Sequence, residues 1–149
     1  MESNIPETVD GSGLMDFIKR SLENKKAPYK RVIIGTINND AQIRIKNVCG
    51  VNVKEIDIDN HSIIHTLANR NHNLEPEDIL LPVDVINTSV NIELSDKKHQ
   101  ENQVLVFKKD IDGDITFLTE VRVKNGYLFI FNAWRQKKAR SRRSSDAAE

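Results

Sequence analysis

Two tight-turn dipeptides, Asp112-Gly113 and Asn125-Gly126, divide the last third of the chain into three β-rich runs. Both favour the positive-φ backbone of a two-residue hairpin, which glycine adopts without a Cβ clash. The runs at 104–107, 115–123 and 127–134 are therefore expected to pair as a three-stranded antiparallel meander. In the middle run Phe117, Val121 and Val123 share one face, and Leu118, Glu120 and Arg122 share the other. In the third run Tyr127, Phe129 and Phe131 alternate with Leu128, Ile130 and Asn132. One buried face and one partly polar face follow.

Upstream, the periodicity changes. Leu14, Phe17, Ile18 and Leu22 recur at helical spacing, so 14–25 reads as an amphipathic helix that ends before Pro28. Residues 29–37 form a β-rich run, and Asn38-Asn39-Asp40 signals a turn. Ile43 and Ile45 alternate with Arg44 and Lys46, which predicts a second, half-buried strand. Residues 51–58 suit a strand or an extended lead-in. Asp59 or Asn60 then caps a helix over 61–72, whose apolar face is Ile63, Ile64 and Leu67. A second short helix opens at 74–78 with Pro76 in its first turn, and Pro82 is expected to break it. Residues 95–103 read as a polar loop.

These elements predict an α+β domain in which N-terminal helices pack on an antiparallel sheet that ends in the C-terminal meander. A disordered N-terminus is expected over 1–13, a single domain over 14–134 with its strand-rich body at 28–134, and a basic disordered tail over 135–149.

The chain has 149 residues, enough to bury a substantial core. No apolar run approaches the roughly 18–20 residues that a bilayer-spanning helix needs. The first residues, MESNIPETVDGSG, lack the basic and apolar regions of a secretory signal, and a cytoplasmic setting is expected. Cys49 is the single cysteine, so neither an internal disulfide nor a cysteine-based zinc cluster can form. The formal net charge of +0 hides an asymmetry. Arg135, Lys137, Lys138, Arg140, Arg142 and Arg143 sit in the last fifteen positions; without those six, the 16 remaining basic residues face 22 acidic ones, so the other residues together carry about −6. A generally basic nucleic-acid-binding surface is thereby excluded, and contact with RNA or DNA would need a local patch or the tail.

Chemistry concentrates in two places. On the 61–72 helix His61, His65 and His72 fall within about 40° of one another, a stripe suited to proton transfer near neutral pH or to metal binding. A shared zinc ion is disfavoured, because His65 and His72 stand about 10 Å apart along the helix axis and no HExxH glutamate is present. His61 and His72 read individually as surface residues and His99 as a loop residue, which leaves mid-helix His65 as the candidate. The second place is the strand face carrying Glu120, Arg122 and Asn132, where a guanidinium and an amide can hold a phosphodiester. The plain alternative is a solvated cross-strand ion pair. No Gly-rich phosphate loop, GxSxG or CxxC motif occurs.

The run IDNHSIIHTLANRNHNLEPEDILLPVDVINTSVNIEL, followed by a meander closing in FIFNAWRQKK, resembles the phage-associated nuclease-like domains grouped with barnase, EndoU, the tRNA-cutting colicins and RelE. The resemblance spans roughly residues 30–138, with His65, Arg70 and His72 on the family's helix motif and Asn132 where the family carries Thr or Ser. It implies a barnase/RelE-like fold and metal-independent endoribonuclease activity of the toxin or effector type, with no cofactor. It further implies His65 as general base or acid, Arg122 as phosphate clamp, Asn132 as orienting donor and Glu120 as reserve acid–base group. Arg70, His72, Lys108 and Trp134 would contact substrate. RNA, tRNA included, and an immunity or antitoxin protein are the implied partners. Such domains act in the cytoplasm, are delivered into a target cell, or are carried in a virion. The family also holds inactive members, so a catalytically silent protein-interaction module is the alternative.

Overall fold

The computed structural model describes residues 7–69, 74–99 and 101–137. Along the chain run β1 (Glu7–Thr8), α1 (Gly11–Glu23), β2 (Arg31–Thr36), α2 (Asn39–Cys49), β3 (Val53–Asp59) and α3 (Asn60–Ala68). A 3-10 turn (Pro76–Leu80) leads into α4 (Leu81–Thr88), and the chain closes with β4 (Asn91–Leu94), β5 (Val104–Asp112), β6 (Ile115–Val123) and β7 (Gly126–Lys137).

The strands form one 7-stranded sheet in the order β1-β2-β3-β7-β6-β5-β4. It is mixed: β1 is parallel to β2 and β3 is parallel to β7, while the other neighbours are antiparallel. The expected antiparallel, barnase/RelE-like sheet with its helices gathered at the N-terminus is thereby overturned. Helices alternate with strands as far as α3, and β7 lies mid-sheet between β6 and β3 instead of closing a terminal meander. The hairpin dipeptides specify only which sequential strands meet. They carry no information about β7's other edge, whose unpaired N–H and C=O groups need a partner once that edge is buried. The apolar residues Ile56 and Ile58 make β3 a suitable one, aligned with Leu128 and Ile130.

One face of the sheet carries the core. Val32 and Ile34 of β2, Ile56 and Ile58 of β3, Leu128 and Ile130 of β7, Phe117 and Val121 of β6, and Leu105 and Phe107 of β5 join a single apolar cluster. Leu14, Phe17 and Ile18 of α1, Ile45 of α2, Ile63 of α3 and Ile86 of α4 belong to the same cluster, so all four α-helices of the described residues contribute to one layer over that face. Each fully buried side chain of this size contributes roughly 1.5–3 kcal/mol, which outweighs local propensity where the two disagree.

Such a disagreement occurs at α2, where the strand expected from Ile43 and Ile45 is a helix. The Asn38 side chain accepts from the Ala41 amide at 2.8 Å, and Gly50, at φ 79°, closes the helix left-handed. Ala41 and Ile45 are buried one turn apart, while Ile43 is 61% exposed. Pro82 also departs from expectation: it sits in the first turn of α4, where its missing N–H has no partner to lose, and so begins a helix instead of breaking one. The Asn87 amide ties α4 to β2 and α2, donating to Thr36 O at 2.9 Å and accepting from the Asn38 N–H at 2.8 Å. Gly35 brings β2 against α4 so closely that an added Cβ would lie 2.8 Å from Val83 Cγ1.

Candidate functional site

The face of the sheet opposite the core is polar and aromatic. Cross-strand registers place Ile33, Asp57, Phe129, Arg122 and Val104 in one row across five strands. The adjoining row pairs Arg31 with Asp59, and Asn132 with Glu120. The second pairing depends on a bulge. Glu120 opposes Asn132, yet the next residue, Val121, opposes Ile130, so Phe131 is an extra residue in β7. Strict alternation would send Asn132 to the core face, opposite Phe129. The bulge returns it to the polar face beside Glu120 and Arg122.

At this face lies a cavity of about 690 Å³. The N-terminal half of α3 forms one wall with His61, Ser62 and His65. The helix starts where β3 ends, because the Asp59 carboxylate accepts from the Ser62 amide at 2.6 Å and caps it. With Ile63 and Thr66 turned into the core, the side of the helix bearing His61 and His65 is left exposed towards the cavity. Arg122 and Asn132 line the same cavity, so the three residues singled out from the sequence meet around one space.

The Asn132 amide is oriented on both sides: its Nδ2 donates to Glu120 Oε1 at 2.9 Å and its Oδ1 accepts from the Ala133 N–H at 3.1 Å. Glu120 therefore acts on the cavity through Asn132. The Arg122 guanidinium lies over the Phe129 ring at 4.4 Å and reaches Phe131 at 5.8 Å. Lys108 is elsewhere, bonded through Nζ to Glu93 at 2.8 Å, and Trp134 lies further along β7, its indole N–H donating to Gln136. Neither lines the cavity. Arg70 and His72 fall outside the described residues, as does the basic tail beyond Lys137.

Several residues here carry no signal that periodicity alone would reveal. Arg31 lines the cavity from β2, its Nε 3.3 Å from Asp57 Oδ2, its Nη1 donating to the Tyr127 hydroxyl, and its guanidinium 4.5 Å above the Tyr127 ring. Asp57 is 1% exposed, and burial pushes its carboxyl up to about 7 even though Arg31 pulls the other way; Glu55 adds to the rise. Lys124 is a third cation on the cavity, its ammonium pushed down by burial and then by Arg122 and Arg31. His99, expected as a plain loop residue, stacks on Phe131 with centroids 4.2 Å apart and planes at 11°. Burial and Arg122 lower its pKa and favour the neutral ring. Tyr29 meets His61 edge-on at 5.7 Å. Cross-strand register is the missing signal: Asp57 stands between Ile33 and Phe129, and Arg31 reaches over β3 to Tyr127 on β7, neither of which is visible before the strand order is known.

Three positive side chains, three imidazoles and four aromatic rings thus surround the cavity, with Asp59 as a lining carboxylate. The arrangement suits an anion attached to a flat ring: cations and an amide for the charged part, aromatic faces for the ring, and imidazoles for moving a proton. Among the described residues no three His, Cys, Asp or Glu side chains are grouped to hold a metal ion, and no helix is long and apolar enough to cross a membrane. No protein-family model, curated protein or solved structure matches the chain.

Proposed function

We propose that the cavity binds RNA and cleaves its backbone without a metal ion, as an endoribonuclease of the toxin or effector type. The observation that carries this reading is the convergence of His65, Arg122 and Asn132 on one cavity, since only groups that meet can act on one phosphate. The mixed sheet removes fold analogy as support, so the reading rests on the site itself.

In this scheme neutral His65 takes the proton of a ribose 2′-OH while that oxygen attacks the adjacent phosphorus. Arg122 and the Asn132 amide receive the charge that develops on the non-bridging oxygens. The P–O5′ bond breaks, leaving a 2′,3′-cyclic phosphate, and protonated His61, one helical turn from His65 and on the same wall, gives its proton to the departing 5′ oxygen. The rings of Tyr29, Phe129 and Phe131 offer faces for bases flanking the scissile bond. An immunity or antitoxin protein would block the enzyme by covering this face.

The test is incubation of total RNA in EDTA with the wild type and with His65→Ala. The expected result is fragments ending in 2′,3′-cyclic phosphate for the wild type alone. RNA that is retained but left intact by the wild type would reassign the domain as a non-catalytic interaction module.

A further inference from the structure

Asp57 lies beneath the site and is absent from the scheme above. A buried carboxylate in the middle of a sheet is costly, and its retention calls for a physical reason. Asp57 sits between Ile33 of β2 and Phe129 of β7, with no surface of its own on the cavity. Its Oδ2 faces Arg31 Nε at 3.3 Å, while Oδ1 has no hydrogen-bond partner among the described residues. Arg31 is thus held from two directions. Asp57 takes Nε from below, and the Tyr127 hydroxyl accepts from Nη1 while the Tyr127 ring lies under the guanidinium plane.

Arginine is otherwise a side chain of high rotamer freedom, and ordering it at the moment a ligand binds opposes binding. An arginine already held in place avoids that cost. With Nε and Nη1 engaged, Nη2 is the nitrogen left for a ligand in the cavity that Arg31 lines.

We propose that Asp57 is a positioning residue that fixes Arg31 against Tyr127 as a second phosphate contact, beside the one assigned to Arg122. The inference rests on the RNA-binding reading of the cavity and deepens it. Tyr127 and Phe129, the two rings under Arg31 and Arg122, are two residues apart on one strand, about 6–7 Å along it. Two guanidiniums seated on rings so spaced fit successive phosphates of one strand better than a lone phosphate. The substrate class is therefore an oligonucleotide with phosphates on both sides of the cleaved residue, and a mononucleotide would engage half of the site.

The experiment uses a 2′-O-methyl oligoribonucleotide, which lacks the attacking hydroxyl, and measures its binding to the full chain. Asp57→Val removes the acceptor while keeping a strand-compatible side chain, and is expected to weaken binding about tenfold, the loss of one charge-assisted contact. Asp57→Asn keeps an acceptor for Arg31 Nε and is expected to stay within about threefold of the wild type. In an Arg31→Ala background Asp57→Val should have no further effect, since the two act as one unit. On cleavable RNA the Asp57→Val loss should fall on KM with kcat nearly unchanged. Wild-type affinity in Asp57→Val, failure of Asp57→Asn to rescue, or a full additional loss in the Arg31→Ala background would each overturn the assignment. Should Asp57→Val fail to fold, Tyr127→Phe removes the other anchor. It is expected to weaken binding about threefold and only when Arg31 is present, and unchanged binding overturns the proposal. Binding with an intact thermodynamic cycle but no cleavage would remove the ribonuclease reading and leave this one standing. Cleavage with an additive cycle would do the reverse.

Discussion

Asn132 and Glu120 face each other across β7 and β6, the amide donating to the carboxylate at 2.9 Å, because Phe131 is an extra residue that turns Asn132 back to the polar face. Glu120 thereby holds one amide N–H, and the proposed mechanism assigns the other to a substrate oxygen. Asn132→Ala is expected to lower kcat on an RNA oligonucleotide about 100-fold with little change in KM, the usual cost of losing one transition-state donor. Glu120→Ala should produce a smaller loss, because the amide remains but is no longer oriented. Steady-state kinetics of both variants decide the point, and an undiminished kcat in Asn132→Ala removes this residue from the mechanism.

His65 is exposed on α3, away from the buried residues Ile63 and Thr66. His65→Ala should therefore leave the thermal midpoint within a degree or two while cleavage drops by about 10²–10⁴-fold, the range for a lost general base. Circular dichroism melting beside the RNA assay checks both halves. A variant that is equally stable and equally active would transfer the proton-transfer role to another imidazole of the cavity.

Asp57 predicts a pH dependence of stability. Its folded pKa, raised to about 7, lies above that of an unfolded chain, so in the range between the two values the native state holds more protons. Its contribution is then fully present below the unfolded value of about 4 and is lost as pH rises through 7, by an amount on the order of a few kcal/mol. Urea unfolding of the wild type at pH 5 and pH 8.5 should show this decline superimposed on the rest of the chain's titration. Asp57→Asn should flatten that component. An identical pH dependence in the variant would place the titration elsewhere.

Gly35 predicts a packing effect far from the chemistry. A Cβ there would stand 2.8 Å from Val83 Cγ1 and 3.1 Å from its Cγ2, closer than packed carbons tolerate. Gly35→Ala should destabilise the protein by about 1–3 kcal/mol, and Val83→Ala in the same chain should recover part of the loss. Denaturant midpoints of the single and double variants test this, with purely additive losses counting against the contact.

What was legible in the sequence was local. The boundaries of β6, the amphipathic face of α1 and the Asp59 cap of α3 all follow from periodicity and capping chemistry within a few residues. Even locally, four residues of alternation at Ile43–Lys46 suit either period. The cap pair Asn38 and Gly50, with Ile45 buried and Ile43 outside, decides for the helix. His65, Arg122 and Asn132 could be chosen by residue type, but nothing local states that they meet.

The tertiary structure decided the rest. Arg31 reaches Tyr127 across 96 positions of sequence, the much earlier strand β3 covers the second edge of β7, and one bulged residue selects the face on which Asn132 appears. A backbone's period is a property of neighbouring residues. The pairing of distant strands is settled by which global arrangement buries the most apolar surface while satisfying every edge, and a site assembled from several strands inherits that global choice.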